Sequence, residues 1–363
     1  MNDLRFLAPF LPPGLMLAGL ANGWFWCSGI VFVVFGVVAC IDMLFPGKRA
    51  GTSSVRDEPA QPGMMISIAL RVWLPIHALI IGYGIHVVTT RELTPWQFFN
   101  VAASIGMIGG LLSGPVAHEL MHQHRRIDRA LAELLMATMT YSHFCVAHVR
   151  GHHVWVGTPQ DSATARPGES VYAFYVRAIG VGWMSAWRLE VARQTRPGRR
   201  LSAWRNQVAR GMICSLALYL GVAWIAGSGG VLLFALQGVV AILVLETLNY
   251  VQHYGLVRRL DEGGRFERVG PGHAWNTEPP VGNWFLLNLG HHSDHHCGTR
   301  QLLSQAPGSE IAPTFPTGLF GMGMLALLPA LWFRVVDPLV AHYAWTSHAK
   351  SSGPNAVRTG VNT

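Results

Sequence analysis

The stretch WQFFNVAASIGMIGGLLSGPVAHELMH, residues Trp96 to His122, carries no charge until Glu119 and ends in two histidines. From Trp96 to His118 is 22 residues, about 33 Å of α-helix and roughly one bilayer thickness. His118 and His122 are four residues apart, so a helix projects both from one face, where they can hold one metal ion. The stretch therefore reads as a membrane span that delivers metal ligands to one bilayer surface. Val231 to His253 repeats the spacing.

The rest of the chain agrees with a membrane protein. Half of its residues are hydrophobic and 13% are charged, with mean hydropathy +0.30. A helix needs about 20 apolar residues to cross a bilayer. Six spans are expected, near 5–22, 24–43, 66–89, 96–117, 208–226 and 230–250, giving an all-α, six-helix integral membrane bundle. Weaker apolar stretches at 131–147 and 317–336 read as interfacial or core helices. The first segment has only Arg5 ahead of it and carries Pro9, Pro12 and Pro13, so it reads as structure rather than a cleaved leader.

Charge sets the expected orientation. With six spans and both ends inside, the outer connections fall near 21–23, 90–94 and 227–229. Of 27 Lys and Arg residues only Arg91 lies there. The basic side, with Lys48, Arg49, Arg56 and the runs Arg125–Arg210 and Arg258–Arg268, is then cytoplasmic by the positive-inside rule. Residues 124–207 read as a basic cytoplasmic insert and 255 onward as a cytoplasmic tail. Both supply histidines, so 1–346 reads as one domain, with a polar and disordered tail at 347–363.

Nine histidines form four clusters: His118 and His122; His148, His152 and His153; His253; and His292, His295 and His296. Imidazole is the commonest protein ligand for iron, copper and zinc. The adjacent pairs 152/153 and 295/296 diverge by about 100° on a helix. Each pair reaches two centres more easily than one, which suggests a dinuclear site. All nine lie in segments that can meet at the inner membrane face. Spacing leaves open which histidine serves which ion. Neutral imidazoles add no negative charge, so such a site stays electrophilic, and the thiolates of structural zinc sites are missing from the pattern. His77, His86, His124, His143, His273, His291, His342 and His348 are expected to stand outside the ligand set.

Five cysteines, at 27, 40, 145, 214 and 297, include no CxxC pair. A fused rubredoxin-like or ferredoxin-like centre is therefore excluded, and disulfides are not indicated. Cys297 reads as a small hydrophobe rather than a ligand.

The set His118-x3-His122, His148-x3-His152-His153, Asn249-Tyr-x-x-His-Tyr-Gly255 and His292-Ser-Asp-His295-His296 resembles the membrane alkane 1-monooxygenase (alkane hydroxylase) family. Thr158-Pro-x-Asp161 and His273-x-Trp-Asn276 extend the likeness, which runs to Asp337-Pro338. Histidine boxes alone also fit membrane fatty-acid desaturases and hydroxylases, whose second box usually has one residue fewer. The resemblance implies two non-haem irons (Fe2+/Fe3+) held by the nine clustered histidines, O2 as co-substrate, and insertion of one oxygen atom into an unactivated C–H bond of a hydrocarbon taken from lipid. It implies 1-alkanol products, a soluble acidic electron carrier (rubredoxin with its reductase) and a place in the bacterial inner membrane. Nucleic acid is not among the expected partners.

Three positions depart from the alkane pattern. Ala147 and Gln252 precede ligands where alkane hydroxylases commonly have Glu, and side-chain hydroxylases of xylene-like aromatics share both residues. His291 replaces a frequent Arg. Glu119, Asp161, Glu246 and Asp294 are candidates to orient the imidazoles, because a ligating histidine usually donates its other N–H to a carboxylate or carbonyl. Val33, Val34, Val37 and Val38 are a candidate wall for a substrate channel. Two other readings compete. His118-Glu-Leu-Met-His122 matches the zinc-protease signature, but seven further clustered histidines argue against it. A membrane metal transporter would need ionisable groups at mid-depth, where the spans offer mainly Arg71, His77 and Glu246.

Overall fold

The computed structural model describes residues 2–22, 29–47, 63–195, 203–297 and 312–351. A 3-10 turn, Asn2–Phe10, leads into α1 (Leu11–Ala21), followed by α2 (Ile30–Leu44), α3 (Met64–Thr90), α4 (Pro95–Met121) and α5 (Arg126–Thr138). A π-helical turn, Ala147–His152, precedes α6 (Val171–Gln194) and α7 (Gln207–His253). Short helices α8 (Pro280–Phe285), α9 (His292–Cys297) and α10 (Leu319–Ala326) lead to α11 (Pro329–Ser351). Only isolated bridges, Leu260 with Phe266 and Asn276 with Thr314, interrupt the all-helical pattern among the described residues.

Four helices are long and apolar enough to cross a bilayer: Leu4–Ala21, α3, α4 and α7. This differs from six separate spans in two places. The second apolar run is a shorter helix of 15 residues, Ile30–Leu44, and residues 23–28 lie outside the described ones. The last two runs form one 47-residue helix, broken at Gly227 where φ is 59° and ψ −156°. There the chain turns back on itself. Tyr219 and Phe234, on either side of the break, bring their rings to 4.9 Å. The two legs are therefore antiparallel.

The turn at Gly227 shares one end of the bundle with two other connections. Arg91 donates to the Leu20 carbonyl at 3.2 Å, tying the end of α3 to the end of α1. A Cβ on Gly230 would lie 3.5 Å from Ile85. His118 and His253 sit at the opposite end of their helices.

Helix α4 starts where Thr94 accepts from Gln97 N–H and the Gln97 side chain accepts from Thr94 N–H, a reciprocal cap ahead of Pro95. Its small residues face α7. A Cβ on Gly106 would lie 2.5 Å from Val240, and one on Gly110 2.6 Å from Val244. Only glycine permits this approach, the small-xxx-small packing common between membrane helices. It draws together the helices that end in His118 and His253.

Polar anchors join the basic insert to the bundle. Arg71 donates to both carboxylate oxygens of Asp128, at 2.7 and 3.1 Å. Ser215 donates to the Ala137 carbonyl, and the Gln237 amide to Thr138. These bonds stitch the end of α5 to both legs of α7. Helix α11 ends at Ser351, and residues 352–363 of the tail lie outside the described ones.

Candidate metal centre

The nine clustered histidines meet in two groups. His118, His122, His148, His153 and His295 form one; His152, His253, His292 and His296 form the other. Within each group the ring nitrogens that could bind a metal lie within 4.8 Å of one another. Adjacent residues separate, His152 from His153 and His295 from His296. His77, His86, His124, His143, His273, His291 and His342 belong to neither group, and the side chain of His348 lies outside the described ones.

Local backbone decides the partition. His292 and His296, four apart on α9, share a group, while His295 turns to the other. In the second box the same spacing does the opposite: His148 and His152 separate, and His148 pairs with His153 five residues on, Nε2 to Nε2 at 3.0 Å. The π-helical turn from Ala147 to His152 accounts for it. Its i→i+5 pattern brings residue 153 under residue 148, and such wide turns gather at functional sites.

The donor sets fit metal ions. A metal about 2.1 Å from each imidazole nitrogen places neighbouring nitrogens about 3 Å apart. The observed Nε2 separations are 3.0 Å for His148–His153, 2.9 Å for His153–His295, 3.0 Å for His253–His292 and 3.1 Å for His292–His296. Each of these pairs lies within one group. Both ring nitrogens of His118, and Nε2 of His152, are buried without a protein hydrogen-bond partner. Burial, reinforced by the surrounding imidazoles, holds His148, His292, His295 and His296 well below the usual histidine range. They are thus neutral, the form that binds metal.

Among the four candidate orienting carboxylates, Asp161 is in hydrogen-bond contact with a clustered histidine. Its Oδ2 lies 2.8 Å from His152 Nδ1 and accepts from the Thr164 hydroxyl at 2.7 Å, while Oδ1 accepts from Ala163 N–H. Burial opposes the Asp161 charge, but His152 and Thr164 hold the carboxyl below its ordinary range. With Nδ1–H donating to Asp161, His152 presents Nε2 to its group. Glu119 is buried and accepts from Gln123 at 2.9 Å. Glu246 accepts from the Tyr141 hydroxyl at 2.7 Å. Asp294 is half-buried.

Around His253, four residues of the Asn249–Gly255 box have a visible task. Tyr250 donates to the Glu169 carbonyl. The Gln252 amide donates to the Leu289 carbonyl at 2.7 Å, which an ionised Glu could not do. The Tyr254 hydroxyl donates to Asp337 and accepts from Gly168 N–H. Gly255 has φ of 74°, and a Cβ there would lie 2.8 Å from Val340. The third box is held by Asn276, whose Oδ1 accepts from Ser293 N–H. Asn283 accepts from Gly290 N–H and donates to the carbonyls of Thr277 and Pro279. His291 lies 3.8 Å from Glu278, but burial pushes it down to about 4, so it is neutral where an Arg would be charged.

Two cavities border the groups. One of about 270 Å³ is lined by Pro115, Phe144, Leu245, Leu248 and Leu289 and reaches His118, His148 and His292. The other, of about 320 Å³, includes Tyr141, Glu246, Ala178 and Gly182 beside His148 and His152. The valines of α2 line neither. Val33 and Val37 point outward, Val38 is packed in the core and Val34 is half-buried. Sequence reasoning missed Tyr141, Thr164, Asn283 and the apolar lining from Leu245 and Leu248. Only the i, i+3 spacing of Asp161 and Thr164 carried a signal. No described cysteine approaches a disulfide: Cys40, Cys145, Cys214 and Cys297 are free, and Cys27 lies outside the described residues.

Comparison with known proteins agrees with the site. A fatty acid desaturase family model matches residues 94–299. The chain is 37% identical over 331 residues to alkane 1-monooxygenase 1 of Pseudomonas aeruginosa, covering 89% of this chain and 86% of the relative. It is 32% identical to alkane 1-monooxygenase of Ectopseudomonas oleovorans, with 91% and 82% covered. It is 27% identical to the xylene/toluene monooxygenase hydroxylase component of Pseudomonas putida, with 93% and 88% covered.

Proposed function

The chain belongs to the alkane 1-monooxygenase family, and on that footing we propose that it is a membrane-bound non-haem diiron monooxygenase converting the terminal methyl of alkanes to 1-alkanols. The observation that carries this reading is the convergence of nine imidazoles into two groups. His118, His122, His148, His153 and His295 would hold one iron, and His152, His253, His292 and His296 the other. When bound, iron supplies O2 activation and insertion of one oxygen atom into a C–H bond.

The chain's own residues supply binding, orientation and water exclusion. Asp161 fixes the His152 tautomer and orients its ring. Gln252, Asn276 and Asn283 hold the loop and helix that present His292, His295 and His296. Phe144, Leu245 and Leu248 line the space beside His118 and His148 with apolar side chains, the lining a hydrocarbon end requires.

In this reading residues 1–346 act as one unit with six crossings, α7 counting as two. The histidine end is cytoplasmic, by the bias of Lys and Arg away from the Gly227 end, and the membrane is the bacterial inner membrane. Reducing equivalents come from a soluble acidic carrier of the rubredoxin type, since the sequence has no paired-thiolate motif. A second reading, hydroxylation of the methyl of an alkyl-aromatic, is favoured by Ala147 in the cavity wall and by the Gln252 bond to Leu289.

The test is metal analysis of purified protein together with feeding of octane, hexadecane and p-xylene to expressing cells. About two irons per chain, one for each histidine group, and 1-alkanols identified by gas chromatography are expected. Benzylic alcohol without 1-alkanol would install the second reading, and an iron-free active enzyme would remove both.

A further inference from the structure

Helix α6 lies within the segment expected from sequence to be a water-exposed basic insert, yet its outward face is apolar. Phe174, Tyr175, Ala178, Gly182 and Ala186 pack inward. On the other side Tyr172, Val176, Trp183, Met184, Trp187 and Val191 are exposed, from 37% for Val191 to 79% for Val176. Trp183 and Trp187 stack with ring centroids 6.0 Å apart. Arg188 is the only charged residue among the exposed positions of the helix. Arg177 turns to Glu169 and the carbonyls of Ser162 and Thr164, and Arg193 to Glu190.

The depth of α6 follows from its contacts with the two antiparallel legs of α7. The Tyr175 hydroxyl lies 2.5 Å from Thr247 Oγ1, and the Glu190 carboxylate accepts from Gln207 N–H at 2.8 Å. Thr247 and Gln207 each stand twenty residues from the turn at Gly227. Twenty helical residues rise about 30 Å, the thickness of the hydrocarbon core. Both ends of α6 therefore meet the bundle at one depth, a full core thickness from the Gly227 end. The helix runs across the bundle at the bilayer boundary, on the side of the histidine groups.

We propose that α6 is an interfacial helix whose Tyr172–Val191 face is embedded in the bilayer surface, and that the partner of this face is lipid. Three observations favour lipid over a second protein. The depth coincides with the zone where Trp and Tyr collect in membrane proteins. Met212, Leu216 and Leu220, on the first leg of α7 between Gln207 and the turn at Gly227, are likewise apolar and exposed. Arg188 on a long stem suits a lipid phosphate at the headgroup level. The consequence is a short path from lipid to metal centre. Ala178 and Gly182, on the inner face of α6, line the 320 Å³ cavity that also touches His148 and His152. One helix, about 10 Å across, separates them from the membrane. This placement stands independently of the proposed reaction.

The wild-type protein in phosphatidylcholine–phosphatidylglycerol vesicles can test it. One sample is irradiated with an apolar diazirine that partitions into the bilayer, another with a charged, water-soluble diazirine, and modified residues are located by peptide mass spectrometry. Trp183, Met184 and Trp187 are expected to match Leu216 and Leu220 in their ratio of apolar to aqueous modification. Exposed Leu260, in the loop after α7, reports the aqueous ratio. A ratio at Trp183, Met184 and Trp187 like that at Leu260 would overturn the proposal. Protection of the three from both reagents would overturn it equally, since a protein surface would then cover the face.

Discussion

Asp161 Oδ2 lies 2.8 Å from His152 Nδ1 and is held there by the Thr164 hydroxyl. His152 is the member of the second box that serves the four-histidine group, so this carboxylate acts on one group and not the other. Asp161→Asn keeps the size but removes the acceptor charge. Iron affinity is expected to fall about 10- to 100-fold, as for other partners of ligating histidines. Dialysis against graded chelator followed by iron analysis reads it, and unchanged retention would show Asp161 to be dispensable.

The separation of His152 from His153 and of His295 from His296 predicts partial metal loss. His253→Ala touches only the four-histidine group and His122→Ala only the five-histidine group. Each is expected to lower iron content by about half, because a ligand is lost from one ion alone, and to abolish hydroxylation. Loss of all iron in both variants, with the helical signal preserved, would mean that neither group holds metal without the other.

Gly110 tests the approach of α4 to α7. A Cβ there would lie 2.6 Å from Val244 and 2.7 Å from the Ala241 carbonyl. Gly110→Leu is expected to cost at least the ~1–3 kcal/mol of overpacking, lowering the Tm in detergent. Gly82, with nothing near its Cβ position, is the control, and Gly82→Ala should leave Tm nearly unchanged. Equal effects at the two sites would remove the close-packing account.

Acid stability should depend on the loop before α6. Burial opposes the Glu169 charge, but hydrogen bonds from Arg177 and from Arg166 N–H hold its carboxyl below the usual range. A depressed folded-state pKa contributes stability that is full above the ordinary Glu range and is lost as pH falls through the folded value. Glu169→Gln should therefore lower Tm at neutral pH and approach the wild type in acid. A Tm difference independent of pH down to acid unfolding would refute the linkage.

Electron delivery should be sensitive to salt. The formal net charge is +8, and an acidic carrier would be steered by the basic face. That field is screened beyond about 8 Å at physiological ionic strength. Within the basic run Arg125–Arg210, residues 196–202 lie outside the described ones, and Arg193 pairs with Glu190. Turnover at limiting carrier is expected to decline with salt while turnover at saturating carrier does not. A flat response at limiting carrier would exclude electrostatic docking.

The apolar run from Trp96 and the four histidine clusters make a helical membrane protein and a metal centre legible from the chain alone, because hydropathy and ligand type are local properties. The divergence of adjacent histidines is local too, since consecutive side chains on any helix point apart. Which histidines share a group is not. It depends on the π turn at 147–152, which separates His148 from His152 although they stand four residues apart. It depends also on distant anchors, such as Asn283 to Gly290 and Gln252 to Leu289, that set the third box against the others. Glu246 was visible as an ionisable residue in a span, but its partner Tyr141 stands 105 positions away. The lipid-directed face of α6 was hidden for a related reason. Tyr175 and Glu190 are polar, and only their contacts with Thr247 and Gln207 show that the helix between them lies at the membrane boundary. Composition and period are written in neighbouring residues, whereas depth, grouping and partnership arise from contacts between segments far apart in the chain.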